Sequence, residues 1–224
     1  MIKNNEQFYC KILIPHKMET QFYSTYVLLG VIIIMSLIGF NNRSFVEKYL
    51  FSPYSVKYDR EYYRFLSNAF LHNDIGHLIF NCITLFYFGR SFEAYMRFFY
   101  GPLVGEIVFW VFAVAAMFAS SSIAYFRHKD NPNYRSLGFS GVGCAILFAV
   151  ILLDPMGKVG LIILPIMVPG WVFGLLYLAF EIYSDRNRKS NIAHDAHISG
   201  ALFGIVFILI TNIEKVIKAF QNLL

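Results

Sequence analysis

Gly138-Phe139-Ser140-Gly141-Val142-Gly143-Cys144-Ala145-Ile146-Leu147-Phe148-Ala149-Val150-Ile151-Leu152-Leu153 is the stretch on which the reading of this chain turns. An apolar run of about 15 residues, at 1.5 Å each, reaches about 22 Å, less than the hydrocarbon thickness of a bilayer. One end of such a helix lies below the membrane surface, and irregular backbone is tolerated at that depth only inside a cavity enclosed by protein. The sunken end carries Gly138-Phe139-Ser140-Gly141.

The flanking sequence has the same character. The chain has 224 residues, of which 57% are hydrophobic and 15% charged, more apolar surface than a soluble domain of that size buries. Apolar runs near 22–40, 75–96, 103–126, 138–153, 159–182 and 193–213 predict an all-α membrane protein with six transmembrane helices. Residues 1–21 read as a short N-terminal tail, 22–213 as the six-helix domain and 214–224 as a short C-terminal tail. The tail mixes Lys3, Glu6, Lys11, Lys17 and Glu19 with apolar positions and no small-residue cleavage site follows, so a removable signal peptide is not expected.

The net charge is +5, but its basic residues are spread over tails and loops, which argues against a nucleic-acid surface. Lys and Arg fall about evenly on the two sides of a six-span chain, so charge sets no orientation. Cys82 and Cys144 lie in apolar runs where they act as small hydrophobes; the three cysteines form no disulfide framework. The Tyr-rich connection from Asn41 to Asp74 predicts a structured loop at the membrane interface.

Three polar clusters interrupt the apolar sequence: His72, His77 and Asn81; Ser140; and His194 with His197. Each falls at the N-terminal end of an even-numbered helix, and in an alternating topology those ends emerge on one side at one depth. Separately, a glycine-flanked serine reads as a packing contact, while membrane histidines read as functional. Together they suggest chemistry. A serine hydroxyl becomes a nucleophile when an imidazole takes its proton, and the N–H groups at a helix start favour an oxyanion. His77 and Asn81, four apart, share a helical face and can donate to that oxyanion. The Gly200-x-x-x-Gly204 face, opposite Gly141, Gly143 and Ala145, lets helix six approach helix four closely. His197 rides on that glycine face and is therefore the expected base, with His194 nearer the polar loop.

The ordered set Arg64-Phe-Leu-Ser-Asn-Ala-Phe-Leu-His72, His77-Leu-Ile-Phe-Asn81, Gly89-Arg-Ser-Phe-Glu93, Gly138-Phe-Ser-Gly141 and Ala196-His-Ile-Ser-Gly200 running on to Gly204 resembles the rhomboid intramembrane serine proteases. The resemblance implies a Ser140–His197 dyad without an acidic third member, and an oxyanion pocket from His77, Asn81 and the Ser140 N–H. It implies a structural Arg64 in the first loop, with Glu93 anchoring that loop. It further implies single-pass membrane proteins as substrates, no cofactor and no metal, and residence as an integral multi-pass protein of the cell (inner) membrane with cytoplasmic termini. Two positions depart from the family pattern: Tyr63 precedes Arg64 where Trp is frequent, and Cys144 stands where an aromatic residue usually stacks on the catalytic imidazole. Competing readings are a non-catalytic rhomboid-like client binder, which typically lacks the serine or histidine, and a membrane di-iron oxygenase, whose relatives need about eight histidines against six here. A transporter would want inverted repeats or broken helices in corresponding halves, which the sequence lacks.

Overall fold

The computed structural model describes residues 23–160, 166–187 and 193–221; the N-terminal tail expected over 1–21 lies outside them. The fold is predominantly helical, and a short apolar helix stands at its centre. This helix, α8 (Ser140–Leu153), is buried around nearly its whole circumference, as expected of a helix that is hydrophobic on all sides. Around it pack α5 (Ile75–Thr84), a π-turn (Leu85–Gly89) and α6 (Arg90–Tyr100), which form one continuous run, with α7 (Pro102–His128), α9 (Gly170–Asn187) and α10 (His194–Gln221). Outermost is α1 (Tyr23–Asn41), whose inward stripe of Ser24, Thr25, Leu28, Ile32, Ser36 and Gly39 is mostly small, the composition that lets membrane helices approach.

Among the described residues three helices, α1, α7 and α10, are long and apolar enough to cross a bilayer, and α8 is a shorter apolar helix. Their outward faces are apolar too, with Leu103 74% and Ile210 76% exposed; lipid, not water, suits such a surface. Inside, Phe92, Phe109 and Phe112 are fully buried. Phe112 also meets Phe203 and Phe207 of α10, at ring-centroid distances of 5.3 and 4.9 Å.

The connection between α1 and α5 is structured, as its aromatic content predicted. It holds α2 (Arg43–Tyr49), α3 (Pro53–Tyr58), α4 (Arg64–Ser67) and a 3₁₀ turn (Asn68–Phe70). Asn42 caps α2 and Ser52 caps α3, whose first position is Pro53. Arg64 is buried beneath these pieces. Its Nη1 donates to the carbonyls of Glu47 (3.0 Å) and Leu50 (2.6 Å), and its Nε to the Glu61 carboxylate (2.6 Å).

Several expectations need correction. The run at 159–182 is not one helix: strands β1 (Lys158–Gly160) and β2 (Met167–Pro169) pair antiparallel, and α9 begins only at Gly170. Pro169 explains the late start, because the residue before a proline is pushed toward extended backbone. The last helix passes residue 213 and runs to Gln221, with an irregular step at Asn212; Val216, Ile217 and Phe220 continue its apolar pattern. Glu93 does not anchor the first loop. It is fully buried and accepts from the Ser24 N–H (3.1 Å), the Thr25 N–H (2.9 Å) and the Thr25 hydroxyl (2.5 Å). A carboxylate there satisfies the unpaired N–H groups at the start of α1, which carry its positive dipole end.

Candidate active site

Ser140 heads α8, and the segment before it is tied down residue by residue. Ser136 pairs with Phe51 through two backbone hydrogen bonds of 2.8 and 3.1 Å, and the Gly138 N–H donates to the Asn68 carbonyl at 3.0 Å. The Phe139 N–H donates to His72 Nε2 at 3.4 Å. On the far side of that ring Nδ1 lies 2.8 Å from Ser36 Oγ, whose hydroxyl donates to the Phe70 carbonyl. This network assigns His72 as the neutral Nδ1–H tautomer. Burial, then the neighbouring His77 ring, pull its pKa down to about 3. His72, in the connection before α5, therefore supports the backbone next to the serine.

Gly138 is required in two ways. Its φ of +131° is hostile to side chains, and a Cβ there would sit 2.7 Å from His77 Cε1. That vacant spot is also 2.9 Å from His77 Nε2 and 3.8 Å from Ser140 Oγ, so the imidazole and the hydroxyl flank it. His77 is held in place by the Asp74 cap, which accepts its N–H at 2.8 Å, and its Nδ1 faces the Asn73 N–H at 3.5 Å. An accepting Nδ1 leaves Nε2–H as the donor on the serine side. Asn81 is buried one turn further along, and its amide donates back to the His77 carbonyl at 2.9 Å.

The central contact of the site crosses from α8 to α10: His197 Nε2 lies 2.7 Å from Ser140 Oγ. Glycine makes this possible. A Cβ on Gly200 would fall 1.9 Å from the Gly141 carbonyl oxygen, and one on Gly204 2.1 Å from that of Ala145. Gly141 in turn leaves room for Ser120 and the Ala196 carbonyl. Ser199 pins α10 to α7 by donating to the Ala119 carbonyl at 2.5 Å. Behind the serine, Ser120, Ser121, Ser136 and Asn68 help line a recess of about 20 Å³, room for a single water.

The far side of the His197 ring holds two residues that sequence reasoning missed. Glu181 Oε1 is 3.0 Å from His197 Nδ1, and Oε2 is 2.6 Å from His194 Nδ1. The Tyr177 hydroxyl is 3.3 Å from His197 Nδ1 and 3.1 Å from Cys144 Sγ. Cys144 thus reaches the imidazole through a tyrosine of α9 rather than stacking on it. The missed signal was Glu181 itself, the acid of the otherwise apolar run Trp171–Tyr183, since a carboxylate at membrane depth is functional by default. Glu181, His194 and His197 are also of the residue types that bind zinc, with donor atoms within 4.8 Å of one another. The Glu181 oxygens, however, already lie against the Nδ1 atoms of the two imidazoles, at 2.6 Å from His194 and 3.0 Å from His197.

Comparison with known proteins places this site within a match. A model of the rhomboid domain matches residues 59–213. The chain is 27% identical over 186 residues, 78% of its length, to the RHOMBOID-like protein 12, mitochondrial, of Arabidopsis thaliana. It spans about half the length of that relative, 55%.

Proposed function

The chain belongs to the rhomboid family, and from that premise we propose that it is an intramembrane serine endopeptidase acting on single-pass membrane proteins. The observation that carries this reading is the 2.7 Å contact between Ser140 Oγ and His197 Nε2. The sunken N-terminus of α8, where water-requiring chemistry can proceed inside a bundle, supports it too. In this reading six segments cross the bilayer of the cell (inner) membrane. Both termini are cytoplasmic, so terminal tags should resist protease added outside intact cells, and tags digested there would reverse the orientation.

As the Ser140 oxygen bonds to the scissile carbonyl carbon, its proton passes to His197 Nε2. The carbonyl oxygen gains negative charge and accepts from His77 Nε2–H, the Asn81 amide and the Ser140 N–H. The proton on Nε2 then goes to the leaving amine as the C–N bond breaks. Water repeats the sequence on the acyl-enzyme, returning Ser140 and releasing the carboxylic acid. No metal or cofactor has a step in this scheme.

The test is a purified protein in detergent with a generic single-pass substrate and a fluorophosphonate probe. Wild type should cleave and label, and Ser140→Ala should fold with an unchanged melting temperature and do neither. Cleavage that survives in Ser140→Ala removes the serine from the reaction. A wild type that binds substrate yet neither cleaves nor labels favours a non-catalytic client binder.

A further inference from the structure

The contact with Ser140 uses one nitrogen of the His197 ring; the other nitrogen is not idle. Glu181 is 3% exposed on a helix of apolar residues, a costly place for a carboxylate without partners. Its two oxygens lie on two imidazoles, 3.0 Å from His197 Nδ1 and 2.6 Å from His194 Nδ1. For His197 Nε2 to accept the Ser140 hydroxyl proton, Nδ1 must carry the ring's hydrogen, and Nδ1–H then requires an acceptor. Glu181 Oε1 is the nearer of the two groups there; the Tyr177 hydroxyl, at 3.3 Å, has Cys144 Sγ as a further partner at 3.1 Å.

We propose that Glu181 is a positioning residue for the peptidase reaction, accepting His197 Nδ1–H so that Ser140, His197 and Glu181 act as a three-membered chain rather than an isolated dyad. The inference rests on the peptidase reading above. It differs from that reading's expectation of a dyad with no acidic member. Glu181 holds the imidazole in the tautomer and orientation that leave Nε2 free, and it stabilises the imidazolium formed when the serine proton arrives. It takes up no proton itself: the proton moves from Ser140 Oγ to His197 Nε2 and on to the leaving amine. His194 occupies the other carboxylate oxygen, so Glu181 is gripped from both sides and cannot swing away from His197.

The experiment compares wild type, Glu181→Gln and Glu181→Asp for kcat, KM, rate of fluorophosphonate labelling and melting temperature. Glu181→Gln keeps the shape and removes the charge. Its kcat and labelling rate should fall together by at least tenfold, with KM within about twofold of wild type. Glu181→Asp, which restores the charge, should recover more activity than Gln. A role in packing alone would instead lower the melting temperature in step with activity. In wild-type protein with ¹⁵N-labelled histidine, His197 should carry its hydrogen on Nδ1, a readout that does not depend on any variant folding. Wild-type kcat in Glu181→Gln, or a His197 protonated on Nε2, overturns the role of the carboxylate. Loss of kcat on chelation, restored by zinc, overturns it by making the same three residues a metal site. A wild type that neither cleaves nor labels overturns the peptidase reading, and this inference with it.

Discussion

His194 and His197 stand three residues apart on α10 and share the Glu181 carboxylate, yet it is His197 that meets the serine. His197 Nε2 faces Ser140 Oγ at 2.7 Å, whereas His194 Nδ1 faces the Glu181 carboxylate at 2.6 Å. A base must lie within hydrogen-bond reach of the proton it takes. His197→Ala is therefore expected to abolish cleavage and probe labelling, and His194→Ala to retain a measurable fraction of both. An inactive His194→Ala beside an active His197→Ala would exchange their roles. His77 and Asn81 separate on the same logic. His77 Nε2 flanks the vacant spot at Gly138 opposite the serine, while the Asn81 amide already serves the His77 carbonyl. Loss of one oxyanion donor typically lowers turnover on the order of 10² to 10³, so both alanine variants should lose kcat at nearly constant KM, His77→Ala the more. Steady-state kinetics on the two proteins checks this, and wild-type turnover in either removes that residue from the pocket. At this scale the pairing of Ser140 with His197 was legible from polar residues at matched depth. Glu181 was not, because a single acid in an apolar run has no sequence spacing to its partners 13 and 16 positions later.

Between elements, the decisive distance is that from α8 to α10. The two backbones meet where a Cβ on Gly200 would stand 1.9 Å from the Gly141 carbonyl oxygen. Backbone cannot yield as a flexible side chain can, so any side chain at Gly200 forces the helices apart. Gly200→Ala should destabilise the fold by roughly 1–3 kcal/mol, the usual range for overpacking. It should also lower activity out of proportion to the folded fraction, since a displacement of about 1 Å at reacting groups can cost on the order of 10² in rate. Thermal melts beside active-site titration separate the two effects, and a Gly200→Ala protein with wild-type kcat would mean that the close approach is not needed for reaction. The glycine spacing made this packing readable in advance. The strands before α9 were hidden because Val159, Val168 and their apolar neighbours fit a buried strand or a buried helix equally well, and periodicity cannot separate the two in so short a run. Likewise, the end of α10 was placed early because polar residues after Ile213 resemble a tail, although the buried Val216 continues its inner face.

At the scale of the whole molecule, the first loop and the serine segment are one mechanical unit. Phe51 pairs with Ser136, the Asn68 carbonyl accepts the Gly138 N–H, and His72 accepts that of Phe139. All three supports come from the connection between α1 and α5, and Arg64 organises that connection from beneath. Its side chain is 8% exposed, and the guanidinium that meets Glu61 also serves two carbonyls, of Glu47 and Leu50. Removing it strands the buried Leu50 carbonyl, at a cost of about 1–3 kcal/mol. Arg64→Ala should consequently lower the melting temperature by several degrees. It should also reduce fluorophosphonate labelling of the protein that remains folded, because the restraints on residues 136–139 relax with the loop. Arg64→Lys should rescue little, since an ammonium cannot spread its donors across three acceptors in a planar fork. Melting curves and labelling rates on the two variants decide the matter. A variant that loses stability but labels at the wild-type rate would show that the loop stabilises the bundle without holding the serine, and would confine the site to α5, α8, α9 and α10.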